Sequence, residues 1–531
     1  MCGILGGNKY ESIDKVKQGL SSIVHRGKDN NTIFSFDNRM YLSHNRLSIQ
    51  DLHEVANQPM VSDDSRYYLV FNGELWKSSF DKFDKKLRKL YNFKTEKSDT
   101  ELLLYYLIHN IENIGRSLRE LDGMFAFSLY DKQTDTTYLG RDFIGRMPLY
   151  YHYDGERFGF CSEAKGLLVG CDTPYYKIDV KSKYHKMADV KDKETIYPVL
   201  PGHMITFKPH PFIHNSYDME EEVWYTFKDN YDKDNQSYYT RDEEQFKHFE
   251  SEDKGLDFYV DGFRNVLNEA VDNELISDVP VCTILSGGID STVITWLLSK
   301  KLPNIEAFVV NVNPIRKSKY KDDLYYARMA AKEFGIKLHE VNVDREDIEK
   351  RLSESIWASE TFKWTQVSPA VAQLALSKKI HDEGFKVVFG GEGSDELFAS
   401  YGDVFAWHYK DEDYIKKRHK LIVDLHKNNL IRTNKAMMYG GTVELRTPFL
   451  HRDLVEFCLT IPPKYKKDGN MWKPLLRKAF KGELSDELLF RPKKTFQEGC
   501  HTIYLKNYKD KIKDHYMSHY ELKNSLEEFM T

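Results

Sequence analysis

The 531-residue chain lacks several features, and each absence excludes a class of protein. No apolar run approaches the roughly 18 residues that a membrane-spanning helix needs, and the first residues do not form a signal peptide. Cysteine is scarce. The six cysteines (2, 161, 171, 282, 458 and 500) show no Cys-x-x-Cys spacing, so neither a zinc site nor a disulfide framework is indicated, and a reducing cytoplasm is the expected home. The matches to the glycosylation pattern at Asn30 and Asn235 are then chance. An excess of positive charge is also missing: 77 Lys and Arg stand against 82 Asp and Glu, which gives no case for nucleic acid as the main partner. The Gly-x4-Gly-Lys-Ser/Thr loop of P-loop ATPases and kinases is absent.

With 41% hydrophobic and 30% charged residues, the composition is that of a folded soluble protein, and the length calls for at least two domains. Val281 to Leu285 is a short, partly β-branched apolar run, followed by Ser286-Gly287-Gly288-Ile289-Asp290-Ser291 and then apolar pairs at helical spacing (Val293, Ile294, Leu297, Leu298). The unit reads as strand, glycine loop and helix. Bare glycine N–H groups, two serine hydroxyls and a helix N-terminus favour phosphate oxygens. Asp290 would repel a naked phosphate, and its presence makes sense if a divalent cation, Mg²⁺ first, lies between them. A Ser-Gly-Gly loop is by itself often only a tight turn. This one resembles the Ser-Gly-Gly-x-Asp-Ser loop of the N-type ATP pyrophosphatases, which implies adenylyl rather than phosphoryl transfer.

The expected strands Ile305–Asn311, Lys337–Asn342 and Lys386–Phe389, with a helix over Lys319–Gly335, indicate a doubly wound parallel α/β domain. The fourth strand runs into Gly390-Gly391-Glu392-Gly393-Ser394-Asp395-Glu396. That loop resembles the asparagine synthetase family. Glu444-Leu445-Arg446-Thr447-Pro448-Phe449-Leu450, Lys473-Pro474-Leu475-Leu476-Arg477 and Arg491-Pro492-Lys493-Lys494 follow in the family's order. The resemblance implies that ATP is held by Leu285, Ser286, Gly287, Gly288, Asp290, Ser291, Gly391 and Glu392. Asp290 and Asp395 would share Mg²⁺, Glu392 would serve the incoming ammonia, and Lys493 would neutralise the α-phosphate.

Cys2 becomes the first residue if Met1 is removed, and a free α-amine can then act as base for its own thiol. A buried small hydrophobe is the commoner role of a lone cysteine. His25-Arg26-Gly27, Asn45-Arg46-Leu47, Asn72-Gly73-Glu74, Ser98-Asp99-Thr100-Glu101, Leu121 to Phe127 and Gly140-Arg141-Asp142 come in the order seen in class II glutamine amidotransferases, whose N-terminal nucleophile fold sandwiches two antiparallel sheets between helices. The resemblance makes Cys2 the nucleophile, with Asn72 and the Gly73 N–H as oxyanion hole. Arg46 would take the glutamine carboxylate, and Asp99 with Glu74 its ammonium.

The chain thus divides into a glutaminase domain over residues 2–207, a polar linker or insertion over 208–255, and a synthetase domain over 256–531. The resemblance implies glutamine hydrolysis, ammonia passing through an internal channel, amidation of an adenylated carboxylate, and often a homodimer. Aspartate is the first candidate for that carboxylate. Lys28 stands where relatives usually place Pro after His25-Arg26-Gly27. Four positions of the synthetase domain also depart from the family pattern: Gln366 and Ser368 replace a Thr and an Arg near the amino acid, Asn429 replaces an Asp, and His451 replaces another. One-sided loss of a buried ion pair costs about 3–5 kcal/mol, so a different carboxylate (a sugar acid, a peptide or a modified base) is the alternative, and a silent scaffold the third reading.

Overall fold

The computed structural model describes residues 1–37, 39–171, 177–178, 195–213, 216–225, 253–312, 322–401, 411–466, 471–492 and 502–520. Among the described residues, the N-terminal half is built on two largely antiparallel sheets, with one parallel pair, Lys177–Ile178 beside Thr195–Pro198, at the edge of one of them. Gly3–Gly7 lies inside a seven-stranded sheet between Phe158–Cys161 and Met40–Arg46, and Tyr67–Leu75 lies inside a six-stranded one between Met60–Val61 and Gly123–Asp131. Phe158 of the first sheet stacks on Phe207 of the second, with centroids 4.0 Å apart and rings parallel. Helices Ile13–Ser22 and Ala164–Gly170 pack Val16, Leu20 and Leu167 against Leu5 on the outer face of one sheet. Helix Asp99–His109 covers the other sheet with Leu102, Leu103 and Leu107. The expected sandwich of two sheets between helices is present.

Gly123–Asp131 and Thr136–Arg141 form a hairpin, with Asp135 in the left-handed region at its turn. The Tyr67–Leu75 strand runs straight through Asn72 and Gly73, paired residue by residue with Gly123–Asp131. Gly73 makes this possible: its φ is 151°, and a Cβ there would lie 2.0 Å from the Met124 carbonyl oxygen. Tyr217–Val223, inside the segment read as a linker, is a strand paired with His203–Pro209.

The C-terminal half has a five-stranded parallel sheet in the order Lys337–Val343, Glu306–Val312, Val281–Ile284, Val387–Phe389, Glu444–Arg446. Asp322 accepts from the Tyr325 N–H at 2.9 Å to open helix Asp323–Phe334, and left-handed Gly335 closes it. The chain order reverses between Val281–Ile284 and Val387–Phe389, which is where doubly wound sheets open a crevice at the strand C-termini. One hydrophobic core runs through both halves. Trp76 lies under the guanidinium groups of Arg146 and Arg446, 5.1 and 5.6 Å from its ring centroid. Among the described residues no helix is long and apolar enough to cross a membrane.

Candidate active sites

Pairing of Gly3 with Asn45 brings Cys2 beside the end of the Met40–Arg46 strand. The Leu47 N–H lies 3.5 Å from Cys2 Sγ, and Arg26 Nε donates to the Cys2 carbonyl at 2.9 Å. Burial pushes the Cys2 thiol above its ordinary value, against the pull of the chain's α-ammonium and Arg46. A thiol so placed needs a base before it can attack. With Met1 in place, the ammonium pairs at 2.9 Å with the buried carboxylate of Glu444.

Arg46 donates to His53 O at 2.9 Å, Asn57 Oδ1 at 2.7 Å and Asp51 O at 2.5 Å. All three acceptors are neutral, so the guanidinium is oriented while its charge stays available to a carboxylate. On the neighbouring strand, both amide atoms of Asn72 are buried without a hydrogen-bond partner among the described residues. Leaving such a group unpaired costs about 1–3 kcal/mol, a cost that a ligand would relieve. Asp99, the first residue of its helix, accepts the Leu75 N–H at 3.2 Å, and burial pushes its carboxyl up to about 7. Glu74 accepts from Gln50; burial, with Glu444 and Asp99 nearby, holds it well above the usual carboxylate range. Cys2 is thus close enough to Arg46 and Glu74 to feel their charges, and Glu74 to feel that of Asp99, while Asn72 and Gly73 precede Glu74 on the same buried strand.

The second site occupies the crevice of the parallel sheet. Leu285 N donates to Phe308 O at 2.8 Å, Ser286 N donates to Ser291 Oγ at 3.1 Å, and Ser291 Oγ donates to Gly288 O at 3.1 Å. The other loop lies against this one so closely that a Cβ on Gly391 would stand 2.7 Å from Ser291 N. Ser394 Oγ donates to Asp290 Oδ1 at 2.7 Å. Lys473 joins both loops: its ammonium is 2.7 Å from each Asp290 oxygen and 2.5 Å from Asp395 Oδ1. Burial works against that ammonium, but Asp290 and Asp395 outweigh it and the pKa is raised. Glu392 is half-buried, its Oε2 shut off from solvent and unpartnered among the described residues, and desolvation raises its pKa.

Residues 1–218 match the glutamine amidotransferase domain family, and residues 262–421 and 409–526 match the asparagine synthase family. The chain is 29% identical to asparagine synthetase B (glutamine-hydrolyzing) of Escherichia coli K12 over 94% of this chain and 82% of that protein. It is 28% identical to asparagine synthetase (glutamine-hydrolyzing) 1 of Saccharomyces cerevisiae over 96% and 87%. The chain belongs to the glutamine-hydrolysing asparagine synthetase family. A solved glutamine phosphoribosylpyrophosphate amidotransferase from B. subtilis aligns at 17% identity over 64% of this chain and 66% of that one, with a TM-score of 0.32.

Within this member of the family, the nucleotide crevice contains cations to which the sequence reading gave no role. Lys473 stands in the Lys473-Pro474 motif, and only the fold carries it across 183 positions to Asp290. Arg477 Nε donates to Trp472 O at 2.6 Å, and Arg491 Nη2 donates to Asp323 Oδ1 at 2.6 Å. Each of these arginines keeps a buried Nη1 unpartnered among the described residues, as a site for phosphate oxygens requires. Lys493 lies outside the described residues.

The departing positions separate. Asn429 Nδ2 donates to Tyr401 Oη at 3.0 Å, Tyr401 donates to Glu396 at 2.5 Å, and Arg432 Nη1 donates to Asn429 Oδ1 at 3.0 Å. Gln366 Nε2 donates to Asn428 Oδ1 at 3.2 Å. Ser368 Oγ is engaged by Thr502, donating to its carbonyl at 3.0 Å. His451 stands apart from this cluster: it forms a buried pair with Asp122 of the N-terminal half at 3.0 Å, and Asp122, outweighing burial, keeps the imidazole pKa raised.

Proposed function

We propose that the chain hydrolyses glutamine at Cys2 and delivers the ammonia to a carboxylate that ATP has activated as an acyl-adenylate, with release of AMP and pyrophosphate. The observation that carries this reading is the Lys473 bridge between Asp290 and Asp395, which closes two glycine loops over one crevice in a chain that also buries the Cys2 thiol and an Asn72 amide unpartnered among the described residues. Removal of Met1 would leave the Cys2 α-amine to take the thiol proton. Asn72 and the Gly73 N–H would hold the oxyanion, Arg46 the glutamine carboxylate, and Asp99 and Glu74 its ammonium. In the crevice, Lys473, Arg477 and Arg491 meet the phosphates, Lys493 is assigned to the α-phosphate, and the Glu392 carboxylate orients ammonia and receives its proton.

Asp290 and Asp395 fit Mg²⁺, which is commonly held by one or two carboxylates while substrate phosphates and waters complete its shell. Such an ion supplies charge neutralisation at the pyrophosphate. Aspartate is the proposed acceptor: Glu396 places, next to Asn429, the carboxyl group that Asn429 lacks, and Arg432 adds a cation in the same cluster. The engagement of Ser368 with Thr502 favours the second reading, the same chemistry on another carboxylate. The deciding measurement is pyrophosphate release with ATP, Mg²⁺ and glutamine, with and without aspartate. Aspartate-dependent release with asparagine formed in step is expected. Glutaminase activity without any response to aspartate moves the assignment to a different acid.

A further inference from the structure

A buried ladder of charges crosses the contact between the two halves, outside both catalytic pockets. It starts one bond from the nucleophile's backbone: Arg26, which donates to the Cys2 carbonyl through Nε, gives Nη1 to Glu163 at 2.8 Å. Glu163 also takes His25 Nε2 at 3.1 Å and the Lys165 ammonium. From the other half comes Glu360, the residue that closes helix Leu352–Ser359 in the left-handed region, with φ 53°. Its carboxylate accepts the Lys165 N–H at 2.7 Å and the Ala164 N–H at 3.3 Å, and lies 3.3 Å from Lys165 Nζ. It also takes the ammonium of Lys435, which donates in addition to Tyr150 Oη at 3.0 Å. The side chains of Arg26, Glu163, Lys165, Glu360 and Lys435 are at most 2% exposed.

The ladder ends on a helix that reaches the other site. Lys435 belongs to Asn429–Gly441, and its neighbour Asn434 donates to Arg146 O at 3.2 Å in the N-terminal half. About one turn back Arg432, and a further turn back Asn429, hold the cluster with Tyr401 and Glu396 beside the second glycine loop. A helix rises 1.5 Å per residue, so displacing Lys435 moves Arg432 about 4.5 Å away as part of the same rigid body.

Three cations and two carboxylates buried together are a poor way to gain stability, since apolar side chains of similar volume hold an interface as well or better. What such a network does supply is register. We infer that Glu360, gripping Lys165 and two backbone N–H groups on one side and Lys435 on the other, is a positioning residue. It registers the glutaminase half on the synthetase half, so that ammonia made at Cys2 reaches the acyl-adenylate. The inference rests on the two-site reading proposed above. Glu360 touches neither substrate, and its loss uncouples the two reactions while each continues.

The test measures glutamate and pyrophosphate in the same sample of full-length protein supplied with ATP, Mg²⁺, aspartate and glutamine, and pyrophosphate alone with ammonium chloride. Glu360→Gln keeps the shape and removes the charge. It is expected to raise glutamate formed per pyrophosphate by about threefold or more, with glutaminase and ammonium-driven rates within about twofold of the parent. A double variant, Glu360→Met with Lys435→Met, removes one charge of each sign and is expected to fold and to uncouple equally. An unchanged ratio in a folded variant overturns the inference, as does a parallel fall in all three rates. Failure of both variants to fold overturns it too, because the ladder is then structural only. A parent protein that lacks glutaminase or aspartate-dependent pyrophosphate release fails the two-site reading itself.

Discussion

The glutamine pocket and the nucleotide crevice solve the same problem, holding charged substrates in a protein interior, by opposite means. In the pocket, functional groups sit within or at the ends of regular elements, and burial is the largest influence on Cys2, Glu74 and Asp99, pushing all three toward their neutral forms. In the crevice, at a topological switch point, Asp290 and Asp395 stand in the first turns of the helices that follow the two glycine loops, and their carboxylates meet a buried lysine. The pocket is poised by desolvation and becomes charged with its ligand. The crevice is poised by charge pairing, which phosphates and a cation must rearrange. Loss of a group should therefore remove chemistry in the first site, and both chemistry and local order in the second.

The sharpest test of this separation is Cys2→Ala. Glutamine hydrolysis should fall by about ten-thousandfold or more, as when other covalent nucleophiles are removed, while pyrophosphate release driven by ammonium stays within about twofold. Equal loss with both nitrogen sources would erase the distinction between the sites. Next in size is Lys473→Ala, expected to lower pyrophosphate release by about a hundred- to a thousandfold with glutaminase intact. It also leaves two carboxylates facing each other, so the unfolding midpoint should drop. Mg²⁺ with ATP should restore part of the loss, and a midpoint indifferent to Lys473 would contradict charge pairing as the organising force. Asn72→Ala should cost glutaminase about a hundredfold in kcat. Because the Asn72 amide has no partner among the described residues, stability should stay level or rise.

The same contrast governs what the sequence discloses. The strands Val281–Ile284, Glu306–Val312 and Val387–Phe389 were legible because a parallel sheet covered on both faces needs continuous apolar runs. Glu444–Arg446 was not: it spans three residues, two of them charged, and it joins the sheet by pairing with Val387–Phe389 while its side chains meet the N-terminal ammonium and Glu74 across the domain contact. Tyr217–Val223 escaped for another reason. As an edge strand it buries Tyr217 and Met219 and carries acids on its other face, an alternation too short to stand out from a polar stretch. Asp290 and the second loop were readable from local pattern. Lys473 was not, since its place depends on a left-handed backbone, φ 53°, ahead of Pro474 that turns the chain toward the crevice.

The smallest expected effect probes desolvation directly. Asp99 has an ordinary carboxylate value of 3.8, and burial lifts it to about 7 in the folded chain. Between these values the native state holds a proton that the unfolded chain has lost, so this group favours folding most below about pH 4, and the contribution drains away as pH rises through about 7. On the proposed assignment of Asp99 to the glutamine ammonium, substrate binding imposes the opposite demand, because that ammonium needs Asp99 ionised. Lowering the pH from about 7.5 to about 6 takes the ionised fraction from about three-quarters to about a tenth, so KM for glutamine should rise roughly eightfold over that window. Asp99→Asn should raise KM, abolish this slope and increase the unfolding midpoint near pH 8, where the parent carries a buried charge. A KM for glutamine that stays flat between pH 6 and 8 in the parent would place Asp99 among paired rather than desolvated carboxylates, and the pocket would then follow the same rule as the crevice.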